Sequence, residues 1–110
     1  MIRKKYFKYN YHAKIPSYLE SLAYDKLNSE NITFYREYSI PGTSKKYDIF
    51  IPEYLLLIEL DSKSFHNTTK QHKNDYLKDC LAVNGGYKII RLNMNQLNSI
   101  YRFKDFLENI

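Results

Sequence analysis

Between positions 47 and 66 the chain reads YDIFIPEYLLLIELDSKSFH, and no other stretch restricts its fold so severely. Two apolar runs lie on either side of Pro52-Glu53, the pattern of strand, turn and strand. Asp48, Glu59 and Asp61 interrupt those runs. A carboxylate in a buried strand is costly unless it is neutralised, paired or bound to a cation. The fold must therefore bury these strands and still give three acidic groups a polar outlet.

The flanking sequence supplies the other elements. Ser17-Tyr18-Leu19-Glu20 matches a capping box, and Leu19, Leu22, Ala23 and Leu27 give a helical stripe that fades near Asn31. Residues 34–40 (FYREYSI) suit a strand, Pro41-Gly42 opens a turn, and residues 47–51 return to form a hairpin. Residues 54–61 are the most apolar and should form the central strand. A polar loop to about Thr68 precedes a helix over 69–84, stopped by Gly85-Gly86. Residues 87–92 read as a further strand, and a final helix starts at Met94 or Asn95 and reaches residue 110. The expected fold class is α/β: elements in the order αβββαβα, with a mixed four-stranded sheet flanked by helices. All 110 residues form one domain: a basic arm over 1–16, a core over 17–92 and a C-terminal helix over 93–110.

Strand parity brings acidic groups together. Glu59 and Asp61 are two residues apart and share one face, while Leu56, Ile58 and Leu60 point the other way. Asp48 lies on the adjacent hairpin strand and, in suitable register, reaches the same spot. Two or three carboxylates from neighbouring strands suit Mg²⁺, which takes a few such ligands and keeps several waters; Mn²⁺ is a possible substitute. A metal so held polarises a phosphoryl oxygen and acidifies a bound water. The expected metal ligands are thus Asp48, Glu59 and Asp61. His66, just past the strand, is placed for general acid/base work because its pKa lies near working pH. Glu20 completes the capping box yet shares a face with Ala23 and Leu27, so structural and functional readings both stand.

On the helix over 69–84, Gln71, Asn74, Asp75 and Lys78 recur at helical spacing as one polar stripe, opposite Tyr76, Leu77, Cys80 and Leu81. Such a stripe is ordinarily the wet face. If the helix instead opens toward the loop, Lys78 can bind phosphate and Asp75 can orient His66. Net charge is +5, with Lys4, Lys5 and Lys8 in a tyrosine-laced arm, which favours a polyanionic partner. Cys80 stands alone, so an internal disulfide is excluded, a thiolate zinc site is disfavoured, and core filling is the expectation. No segment is apolar enough for a signal peptide or a membrane span, which makes the cytoplasm of a bacterial or phage-infected cell the expected location.

With these residues in view, the chain resembles the small Vsr-like branch of the PD-(D/E)XK nuclease superfamily. That branch includes very short patch repair endonucleases, DUF559-type proteins and phage homing endonucleases with an E-D-x-H-D motif. The resemblance runs over residues 17–92 through SYLESLAYDKL, FYREYSIPG, KYDIFIPE, LLLIELDSKSFH, QHKNDYLKDCL and GGYKIIRLN in order. It implies a restriction-endonuclease-like core and Mg²⁺-dependent hydrolysis of DNA phosphodiesters. It assigns catalytic positions to Glu20, Asp48, Glu59, His66 and Asp75, with Asp48 the principal metal-binding aspartate. Two departures stand out. Asp61 occupies the usual lysine position of E-x-K, so Lys63 or Lys78 must supply any lysine; and Ser62 replaces a common glycine, with a loop to His66 one residue longer.

The leading expectation is a metal-dependent DNA endonuclease or nickase of phage or mobile-element origin, in which Lys4, Lys5, Lys8, Lys63 and Lys78 contact nucleic acid. A homodimer or a larger nuclease complex is compatible with it, and a membrane partner is not expected. The rival is a non-catalytic nucleic-acid-binding or interaction protein on the same fold, such as a phage-encoded inhibitor or a nuclease subunit.

Overall fold

The computed structural model describes residues 16–61 and 68–110. Helix α1 (Tyr18–Ser29) starts at the expected capping box: Ser17 Oγ accepts the Glu20 amide at 3.2 Å, and Glu20 Oε1 accepts the Ser17 amide at 2.8 Å. Its stripe of Leu19, Ala23 and Leu27 is buried. Strands β1 (Tyr35–Ser39), β2 (Lys46–Ile51) and β3 (Leu56–Asp61) follow, then helix α2 (Thr69–Asn84) and strand β4 (Lys88–Asn93). The sheet order is β1-β2-β3-β4, antiparallel through β3 and parallel between β3 and β4. The expected α/β class and mixed four-stranded sheet are what the structure shows, with β3 central.

Helices cover both faces. Leu19, Tyr24 and Leu27 of α1 pack with Ile49, Ile51, Leu56 and Ile58 of the sheet and with Leu97, Phe103 and Leu107 of the C-terminal segment. The other face holds a smaller cluster, in which Tyr47, Phe50 and Leu57 meet Ala82 of α2.

Three expectations need correction. First, β3 begins at Leu56 and not Tyr54, because Pro52–Tyr54 forms a 3-10 turn closed by Leu55 in the left-handed region (φ 48°). Second, the single C-terminal helix is two: α3 (Met94–Ser99) and α4 (Phe103–Glu108). Ile100 turns extended and buries its side chain, and α4 restarts because Glu30 accepts the Phe103 and Lys104 amides at 2.6 and 2.9 Å. A carboxylate on two first-turn amides meets the need that every helix N-terminus has. Third, Cys80 of α2 does not fill the core, and of the two readings left open for the polar stripe the structure takes the one that faces the site. Tyr76 and Leu77 are exposed and Cys80 is half-buried, while the polar stripe turns toward the sheet. The stripe is drawn inward because Lys45, Glu59 and Arg91 present polar groups beneath it. Among the described residues no helix is long and apolar enough to cross a membrane.

Candidate active site

The site lies where β2 and β3 fork. Ladder pairing covers Ile51↔Leu56, Phe50↔Leu57 and Ile49↔Ile58. One step further Asp48 falls opposite Glu59, and there side chains take over the linkage. The Asp48 amide donates to Glu59 Oε2 at 3.1 Å, and the Leu60 amide donates to Asp48 Oδ2 at 2.7 Å. Each carboxylate thus satisfies a backbone N–H on the opposing strand, which answers how two acids can sit in apolar strands.

A break in strand alternation aims Asp48 at the fork. Tyr47 packs on the α2 side with Phe50, whereas Ile49 and Ile51 pack on the α1 side. Regular alternation would put Tyr47 with Ile49. Across the pairing, between Arg36↔Ile49 and Tyr38↔Tyr47, Glu37 adopts a left-handed backbone (φ 53°). Both strands therefore switch faces at this level. A non-glycine residue held in that conformation costs on the order of 1 kcal/mol and marks a position that its surroundings over-determine.

Lys78 of α2 reaches the fork and ion-pairs with Glu59 Oε1, its side chain 11% exposed and that of Glu59 14%. Its ammonium also stands 5.0 Å from the centre of the Tyr47 ring. Asp48 is pushed up to about 6: burial is the main cause, and the Glu59 and Glu20 charges add to it against the Leu60 hydrogen bond and Lys78. Glu20 therefore caps its helix and also adds negative potential at Asp48, so its two readings are compatible.

Asp61, exposed at the end of β3, lines a small cavity of about 100 Å³ with Glu59, Leu60, Gln71, Asp75 and Arg91. In-register pairing of Glu59 with Arg91 sets the guanidinium beside this cavity, 3.8 Å from Asp75 and 2.9 Å from Asp79. The structure thus joins Asp48, Glu59 and Lys78 closely, keeps Glu20 within electrostatic range, and sets Asp61 and Asp75 to one side. Among the described residues, no three His, Cys, Asp or Glu side chains gather closely enough to hold a metal ion. His66, Lys63, Lys4, Lys5 and Lys8 lie outside the described residues.

Sequence reasoning missed two participants. Tyr47 was given no role, because its place on the α2 side depends on a break in strand alternation that the sequence does not announce. Arg91 was legible only through the parallel register of β3 with β4. No lysine follows Glu59 two positions on in the strand, and Lys78 meets that glutamate from a helix.

No family model matches this chain, and no curated protein matches it in sequence. Among solved structures it is similar to the catalytic domain of the homing endonuclease I-Bth0305I, at a TM-score of 0.64 and 17% identity, covering 86% of this chain and 93% of that one. At that identity the likeness establishes a shared fold.

Proposed function

We propose that this chain is a metal-dependent DNA endonuclease or nickase that hydrolyses phosphodiester bonds at the β2–β3 fork. One observation carries the reading: Asp48 and Glu59 stand opposite one another, half-buried, with a cationic Lys78 against them. The fold shared with a homing endonuclease catalytic domain supports it.

A divalent ion fits these residues on the chemistry of the donors. Burial first, and then the neighbouring Glu59 and Glu20 charges, raise the Asp48 carboxyl, and a bound cation would relieve both. Two carboxylates with the balance in water is a coordination Mg²⁺ favours, and Mn²⁺ can substitute. Asp48 and Glu59 would hold the ion, with Asp61 the nearest further carboxylate of the strand. Once bound, Mg²⁺ supplies Lewis-acid polarisation of the phosphoryl group.

The chain's own residues do the rest. Lys78 neutralises Glu59 and offers positive charge where a phosphate would approach. Glu20 adds a smaller negative contribution at Asp48, and Asp75 and Arg91 line the adjoining cavity. His66, which follows β3, is the group we assign to proton transfer, and Lys4, Lys5, Lys8 and Lys63 are the lysines we assign to the DNA backbone.

Incubation with supercoiled plasmid and Mg²⁺ or Mn²⁺ tests the reading, with nicked or linear product expected and Asp48→Asn inactive. No cutting with any divalent ion, or undiminished cutting by Asp48→Asn, removes it. A second reading, a DNA-binding module without catalysis, has one observation in its favour: Glu59 is already neutralised by Lys78. Under that reading DNA binds, and divalent ions leave the melting temperature unchanged.

A further inference from the structure

Tyr47 touches Lys78 at both ends. Its hydroxyl donates to the backbone carbonyl of Lys78 at 2.9 Å, and its ring lies beneath the same residue's ammonium, 5.0 Å from the ring centre. The side chain is wholly buried, among Phe50, Leu57 and Ala82. A lysine has a long flexible stem, and nothing in α2 alone directs it at a strand glutamate. Tyr47 precedes Asp48 in the chain, so its placement on the α2 side comes from the same face switch that aims Asp48 at the fork.

We propose that Tyr47 is a positioning residue for this site, fixing Lys78 by hydroxyl and ring together so that a helix-borne ammonium is delivered to Glu59. The proposal rests on the nuclease reading for its catalytic consequence, though not for the contact itself. It ties the docking of α2 to the competence of the fork. A shift of α2 along the sheet would withdraw the ammonium without altering any acidic residue. The hydroxyl sets the height of the helix at Lys78, and the ring face selects the rotamer.

The experiment combines a mutant cycle with a spectrum. Tyr47→Phe keeps the ring and loses the carbonyl bond; Tyr47→Leu loses both; each is made in the wild-type and the Lys78→Met backgrounds. On plasmid cleavage, Tyr47→Phe should lower kcat about threefold and Tyr47→Leu about tenfold, with KM unchanged. In the Lys78→Met background neither should lower kcat further. In parallel, the ammonium ¹⁵N–¹H signal of Lys78, assigned by its loss in Lys78→Met, should be visible in wild-type protein without DNA or metal. It should persist in Tyr47→Phe and broaden away in Tyr47→Leu.

Equal losses in both backgrounds would overturn the proposal, as would a Lys78 signal indifferent to Tyr47→Leu or missing from wild type. Should Tyr47→Leu fail to fold, the Tyr47→Phe pair decides the kinetic arm by the same criterion. If the wild-type protein cuts nothing, the nuclease reading falls by itself, and the ammonium signal still decides whether Tyr47 holds Lys78.

Discussion

Asp48→Asn should make this protein more stable at neutral pH while abolishing the proposed cleavage of DNA. In the folded chain the Asp48 carboxyl is raised from 3.8 to about 6, chiefly by burial, with Glu59 and Glu20 adding to it. At about 1.4 kcal/mol per pH unit, ionising it in the folded state costs about 3 kcal/mol more than in the unfolded state. The sign follows from proton counts. Between pH 3.8 and about 6 the native state binds more protons than the unfolded one, so stability falls as pH rises through that window. Asparagine removes the titration and keeps an oxygen to accept the Leu60 amide. Urea denaturation at about pH 4 and about pH 8 is the assay. The variant should match wild type at the lower pH and exceed it by about 2–3 kcal/mol at the higher, worth about 10 °C in a domain of this size. A variant less stable than wild type at pH 8, or an advantage equal at both pH values, would refute the account of Asp48 as a buried, electrostatically burdened carboxylate.

Saturating Mg²⁺ or Mn²⁺, at about a hundredfold excess over Kd, should stabilise wild-type protein by about 3 kcal/mol at pH 8 in a thermal melt, and Asp48→Asn or Glu59→Gln should erase that gain. Glu30→Ala strips the acceptor from two amides of α4 and should cost about 1–2 kcal/mol in urea melts, with plasmid cleavage kept. Leu55 is half-exposed in a left-handed conformation that asparagine tolerates better, so Leu55→Asn should add about 1 kcal/mol to unfolding stability.

Some of the site was legible beforehand for identifiable reasons. The acids in the strands announced themselves because burial makes them expensive, and Asp48 and Glu59 do meet. The resemblance offered Lys63 or Lys78 as the missing lysine; that Lys78 reaches Glu59 was not legible, since nineteen positions separate them and only the packing of α2 on the sheet sets their distance. Whether the polar stripe of that helix would be wet or face the site stayed open for the same reason: amphipathic spacing shows which residues share a side, while the groups they must meet decide which side turns inward. Tyr47 went unnoticed because strand parity assumes unbroken alternation, and the left-handed Glu37 across the pairing breaks it.

The sequence by itself determined what short-range chemistry controls: the capping box at Ser17 and Glu20, the strand segments, the Gly85-Gly86 stop, and the restart of helix at Asn93, whose box with Gln96 is complete within four residues. Only the tertiary structure decided the rest. The fork between β2 and β3, the lysine that crosses from helix to strand, and the cap that Glu30 places on α4 all join residues far apart along the chain. Local torsional and capping preferences act over a few residues, whereas a buried charge is satisfied by whatever the completed packing brings beside it.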